Sequence, residues 1–151
     1  MGVVVTRNGG DSVVMEVREV SAIQEAVERA VECCAPSYRN MRRLAFNFRV
    51  GLTEAISNAV LCGNGEDPRK RVRVELWTGG GEIRARITDQ GFGFDPNAIP
   101  DPRTPENITE PGGRGIFLMR KLLDEVHFNA SGNSVTLVLR EAAGAESATS
   151  R

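Results

Sequence analysis

Only one histidine and three cysteines occur in this 151-residue chain, and their placement excludes several chemistries at once. His127 alone cannot build a multi-histidine metal site, and no G-x-S-x-G elbow accompanies it to complete a hydrolase triad. Its setting, Val126-His127-Phe128, reads as a strand residue. Cys33 and Cys34 are adjacent and Cys62 is distant, which matches neither zinc-ligand spacing nor an even disulfide framework. The reading is reduced, mostly buried thiols in a cytoplasmic protein. No apolar run approaches the ~20 residues of a membrane span. The N-terminus also lacks the basic segment and apolar stretch of a signal peptide. Charge of one sign is missing too. Nineteen basic and twenty acidic residues leave a net charge of -1, which argues against direct nucleic-acid binding through bulk electrostatics.

What remains is the composition of a soluble globular domain, 40% hydrophobic and 26% charged. It excludes a disordered chain, a collagen and a coiled-coil rod. A chain of 16.4 kDa fits one domain, able to bury about 70% of its unfolded surface without a disulfide or metal. Residues 1–151 are read as a single domain with a core over about 12–140. The Ala-, Ser- and Gly-rich stretch 141–151 is read as a frayed tail.

Residues 1–10 read as a loose leader or the start of an edge strand. Residues 12–18 have the β-branched, alternating character of a strand. Ser21 offers an N-cap to a helix carried by Ile23, Ala26, Val27, Ala30 and Val31 and closed by Pro36. The longest periodic stretch runs from about Met41 to Cys62, with Leu44, Phe48, Leu52, Ala55, Ile56 and Ala59 along one side, and Gly63-Asn64-Gly65 ends it. Phe46 and Phe48 cannot both enter that stripe. Residues 71–78 and 82–88 alternate on either side of Gly79-Gly80-Gly81, a hairpin signal. The basic cluster Arg69-Lys70-Arg71 with Arg73 reads as a solvated edge strand. Between Gly91 and Gly115 lie five of the seven prolines, in a connection long enough to point to function. A helix over 116–123 and strands over 125–130 and 134–140 complete the order. Hairpin-joined strands with helices between them predict an α+β fold. It is a two-layer sandwich, a mixed, mostly antiparallel sheet with helices on one face.

Three short constellations carry chemistry. On the long helix, Glu54 and Asn58 stand four apart and therefore share a face. A carboxylate there can take a proton, and a carboxamide oxygen is a hard ligand suited to Mg2+. Asp89-Gln90-Gly91-Phe92-Gly93-Phe94 follows a strand. Its glycines admit a ligand close to the backbone, and its aspartate can accept a hydrogen bond from an exocyclic amine such as adenine N6. The plain alternative is a tight turn plugged by Phe92 and Phe94. Gly112-Gly113-Arg114-Gly115 runs directly into a helix, and free N–H groups at such a start suit polyphosphate. It is neither a Walker A motif nor a Rossmann fingerprint.

In this order the three stretches resemble the GHKL ATPases, which have Bergerat-type ATP-binding folds. Within that superfamily the likeness is to the anti-sigma factor serine kinases of bacterial partner-switching systems, the RsbW and SpoIIAB type. It covers roughly residues 12–140, most specifically 52–59, 87–96 and 112–126. The resemblance implies that Glu54 is the catalytic base and that Asn58 contacts nucleotide-bound Mg2+. It implies that Asp89 reads the adenine amine beside Gly91 and Gly93, and that Gly112, Gly113 and Gly115 lie against the phosphates. Ser134 falls near a family Thr that supports adenine through the aspartate, and residues 96–111 would be a lid over the triphosphate. The family motif usually continues N-A-x-x-H-[AG]; here Cys62 holds the His position.

The function so implied is an ATP- and Mg2+-dependent protein-serine/threonine kinase. It phosphorylates a STAS-type anti-anti-sigma protein, holds a sigma factor inactive and forms a homodimer. The alternative is a nucleotide-gated, non-catalytic module that sequesters a sigma factor or other regulator. Cys62 favours the alternative and Glu54 the kinase.

Overall fold

Six short alternating runs each have one apolar side, and one sheet lets them bury those sides together. The computed structural model describes residues 3–7, 12–92 and 113–141. The strands are β1 (Val4–Arg7), β2 (Ser12–Val17), β3 (Val72–Gly79), β4 (Glu82–Thr88), β5 (Glu125–Phe128) and β6 (Ser134–Arg140). They form one sheet in the order β1-β2-β3-β4-β6-β5, antiparallel at every pairing. Met15, Val74, Ile87 and Val135 are paired across the strands and all buried, as are Val13, Leu76, Ala85 and Leu137. These rows face the helices. The α+β reading stands, and the open question at the N-terminus resolves to an edge strand.

The β3–β4 hairpin closes as the glycines require. Gly79 pairs with Glu82, and Gly80 and Gly81 take φ of 62° and 75°, a left-handed pair that side chains adopt at a cost. The basic cluster reads differently in three dimensions. β3 lies inside the sheet, not at its edge. Its charges are accommodated because no helix among the described residues covers the sheet's other face. Arg73 and Arg86 both reach Glu75, Arg71 reaches Glu16, and the Arg86 guanidinium stacks 5.4 Å over Trp77.

Three helices cover the apolar face. α1 (Ile23–Cys34) buries Ile23, Ala26, Val27, Ala30 and Cys34. Ser21 is not its N-cap: the chain enters through a 3₁₀ turn, Val20–Ala22, and the Ser21 hydroxyl donates to Glu19 instead. The long stretch is one continuous helix over 41–63. Its middle, α2 (Arg49–Ser57), has α winding and is flanked by π-helical turns at Arg43–Phe48 and Asn58–Gly63. Leu44, Phe48, Leu52, Ala55, Ile56 and Ala59 are all buried, and Phe46 is turned outward. α3 (Gly113–Leu122) begins at its glycines, three residues before the periodicity suggests.

α2 and α3 lie side by side and antiparallel. Gly51 makes the close approach possible, since a Cβ there would stand 2.8 Å from Leu123 Cδ1. At one end Asn47 Nδ2 donates to the Leu122 carbonyl at 2.8 Å, and Arg43 pairs with Asp124 at 2.7 Å. Asp124 also accepts the Arg140 N–H, while Tyr38 Oη and Arg43 Nε both donate to the Arg140 carbonyl. These bonds fix the helix pair to β6.

Candidate functional site

The antiparallel pairing carries the start of α3 to the middle of the long helix. Gly115, buried in the first turn of α3, packs against both Glu54 and Asn58. A Cβ at position 115 would lie 2.8 Å from Glu54 Oε1 and 3.3 Å from Asn58 Nδ2. Glycine therefore leaves room for a carboxylate and a carboxamide directly beside a helix N-terminus. There the first-turn N–H groups have no intrahelical acceptor and the helix dipole is positive, which favours an anion. Gly113 is the first residue of α3, and Arg114 is exposed. Gly93, Gly112, Phe94 and the lid segment 96–111 lie outside the described residues.

Asp89 leaves the end of β4 and turns toward the far end of the long helix. Its N–H donates to the Asn133 carbonyl at 2.9 Å, and its Oδ1 accepts the Gly91 N–H at 2.8 Å. The carboxylate rests on Gly63, where a Cβ would overlap its Cγ and Oδ2 and come within 2.8 Å of Oδ1. A Cβ at Gly91 would likewise overlap the Gly63 carbonyl oxygen. Burial pushes the Asp89 carboxyl above its ordinary range, against the Gly91 N–H and the charge of Lys70, which favour ionisation. Phe92 is wholly exposed, so it plugs nothing.

Glu54, Asn58 and Gly115 thus form one group and Asp89, Gly91 and Gly63 another. The π turn Asn58–Gly63 links them. Cys62, in that turn, is exposed, so burial of the thiols holds for Cys34 and partly for Cys33 only. Ser134 is not brought to this cluster. Its hydroxyl shares a 2.9 Å hydrogen bond with Thr88 on the helix-free face, beside a cavity of about 420 Å³ lined also by Glu75, Arg86 and His127. His127 is an exposed residue of β5 bonded to Glu125 at 2.7 Å.

Gly63 and Asn64 are the residues the sequence reading passed over, having taken them only as a helix stop. Asn64 Oδ1 accepts the Gln90 N–H at 2.7 Å. The available signal was the pair itself, a glycine and a polar residue directly after the Glu54–Asn58 helix.

Mg2+ binds oxygen, retains several waters and takes one or two protein ligands beside substrate phosphates. One carboxamide next to a carboxylate and an anion-favouring helix start fits that habit. Among the described residues no group of three or more His, Cys, Asp or Glu side chains gathers into an all-protein cage. No helix there is long and apolar enough to cross a membrane.

Residues 13–139 match the family described as histidine kinase-like ATPase domain. Over 102 residues the chain is 28% identical to the anti-sigma F factor of Geobacillus stearothermophilus, covering 65% of this chain and 68% of that protein. It is 30% identical over 91 residues to the anti-sigma F factor of Geobacillus sp. (strain WCH70), covering 58% and 61%. Against the serine-protein kinase RsbW of Oceanobacillus iheyensis it is 29% identical over 89 residues, covering 55% and 56%.

Proposed function

The chain belongs to the histidine kinase-like ATPase domain family, and from that premise we propose that it is an ATP-dependent serine/threonine kinase acting on a protein partner. The observation that carries this is the packing of Gly115 against both Glu54 and Asn58. It supports a proton acceptor, a hard oxygen ligand and a phosphate-favouring helix start in one place. In the proposed reaction, a substrate serine or threonine oxygen forms a bond to the γ-phosphorus of ATP. The bond from that phosphorus to the bridging oxygen breaks, its electron pair leaves with ADP, and Glu54 takes the hydroxyl proton. Mg2+, held by Asn58 and the nucleotide phosphates, supplies charge neutralisation when bound. Asp89 receives the adenine amine, with Gly91 and Gly93 beside it, and Gly112, Gly113 and Gly115 receive the phosphates. Asp89 is steadied by the backbone carbonyl of Asn133 and not by Ser134, whose hydroxyl bonds Thr88.

The relatives' names, anti-sigma F factor and serine-protein kinase, support a sigma factor as the sequestered partner. The resemblance to partner-switching kinases extends the proposal to a STAS-type antagonist as the phosphorylated partner and a homodimer in the cytoplasm as the working unit. Incubation with Mg-ATP and a STAS-domain protein tests it. The expected product is that protein 80 Da heavier, at a serine or threonine. Nucleotide-dependent binding of a partner with no transfer would favour the non-catalytic module, to which the Cys62 substitution points.

Nucleotide binding has its own test. Mg-ADP at ~100 times its Kd should add about 2.7 kcal/mol, raising the melting temperature by roughly 5–11 °C. Asp89→Asn should lose that shift.

Acidification should also weaken nucleotide binding, since the adenine amine donates to the ionised carboxylate. Because burial raises the Asp89 pKa, the loss should begin at a higher pH than for an ordinary aspartate near 3.9. The effect on folding has the opposite sign. A raised folded pKa favours the fold at low pH, and that contribution is lost as pH rises through the folded value. Without nucleotide at neutral pH, Asp89→Asn should therefore melt no lower than the wild type.

A further inference from the structure

Among the described residues Asn64 is the one buried side chain that is charged, an amide or an aliphatic hydroxyl, at 4% exposure. Its backbone groups do what any residue type could do there. The N–H closes the π turn onto Ala59 at 2.8 Å, and the carbonyl accepts the Asp67 N–H at 3.1 Å. The side chain reaches across to another element, where Oδ1 takes the Gln90 N–H at 2.7 Å. Gln90 lies between Asp89 and Gly91, so this bond ties the turn that bears the aspartate to the end of the long helix. Two further ties hold the same turn: Asp89 N–H to the Asn133 carbonyl, and Arg71 N–H to the exposed Gln90 side chain at 2.6 Å. Only the Asn64 tie comes from a buried side chain, and it is the one that sets the turn's distance from Gly63.

We propose that Asn64 is a positioning residue for base recognition. It holds the Asp89 carboxylate over Gly63 and so sets the preference for a purine with an amine at C6 over one with a carbonyl there. This deepens the nucleotide reading above and rests on it. A fixed carboxylate accepts a hydrogen bond from the amine and repels the carbonyl oxygen; a carboxylate free to swing does neither well. Removing the Asn64 oxygen leaves the Gln90 N–H without its partner and lets the turn move. Glu54, Asn58 and Gly115 make no hydrogen bond to it.

Calorimetric titration of the whole chain with Mg-ADP and Mg-IDP, beside thermal melts, tests this. The wild type is expected to prefer ADP. Asn64→Ala should cut the ADP-to-IDP affinity ratio about tenfold, mainly through weaker ADP binding. Gln90→Pro removes the same N–H at an exposed position and should reproduce the Asn64→Ala loss even where that variant fails to fold. Gln90→Ala keeps the N–H and gives up only the Arg71 bond that Gln90→Pro also loses, so it isolates that second loss and should keep most of the ratio. A wild-type ratio in folded Asn64→Ala or in Gln90→Pro overturns the proposal, as does equal weakening of both nucleotides. A wild type that binds neither nucleotide overturns the nucleotide site itself.

Discussion

Glu54→Gln should slow phosphate transfer to the partner at least a hundredfold while changing nucleotide affinity no more than about threefold. The two side chains have nearly the same shape, so the packing of position 54 against Gly115 survives. What disappears is the capacity to take a proton, since a neutral carboxamide is a far weaker base. The loss should therefore appear in the rate at saturating Mg-ATP and not in the concentration of ATP needed to reach it. Following the 80 Da product over time, with ADP affinity measured in parallel, separates the two. An undiminished rate would remove Glu54 from the role of base.

The second large effect is expected at Gly63→Ala. A methyl group there overlaps the Asp89 carboxylate, which must rotate away from the Gly91 N–H that now fixes it. Losing a hydrogen bond to a charged group in a partly buried site corresponds to about a ten- to hundredfold loss of ADP affinity. Stability should hardly change, because two contributions oppose each other. The Asp89 carboxylate gives up its Gly91 hydrogen bond, a loss of about 1 kcal/mol once water takes its place, while alanine at a helical position is favoured over glycine by about 1 kcal/mol. A protein that melts near the wild-type temperature yet binds ADP poorly is the expected outcome. Wild-type affinity in this variant would show that Asp89 does not contact the base.

Much of the fold could be read from side-chain periods. Leu76, Ala85 and Leu137 had to share a face, and Gly80 and Gly81 mark a turn that other residues enter with difficulty. The π winding was not legible, because one added residue per turn barely disturbs a period averaged over a long stripe. The choice between Phe46 and Phe48 gave no sign of it, because α spacing from Leu44 to Leu52 already buries Phe48. Arg71 and Arg73 looked like an edge because an interior strand with one bare face is as wet on that side as an edge strand. Ser21 had the chemistry of a cap, but the 3₁₀ turn placed it too early.

In the site, Glu54 and Asn58 were legible because they belong to one helix and their relation is local. Gly63 and Asn64 were not, because their roles arise only when the end of β4, some 25 residues later, arrives beside them. Ser134 shows the same limit at finer scale. Strand alternation sends its hydroxyl to the helix-free face, while the carbonyl of the preceding Asn133 holds Asp89.

The π turn Asn58–Gly63 bears on chain length as well as on residue type. Such a turn accommodates one residue more than α winding does. Loss of a single codon among positions 59–62 would let the helix relax to α geometry with its hydrophobic stripe largely intact. Glu54 and Asn58, upstream of the deletion, would stay where they are. With the extra residue gone, the α-wound turn would bring Gly63 and Asn64 to nearly the same place, and Asp89 would keep its seat. The same deletion within α2 would instead swing them about 100° and draw them back about 1.5 Å. The π turn is therefore a stretch where the chain can lose one codon and keep the phosphate end and the base end of the site together.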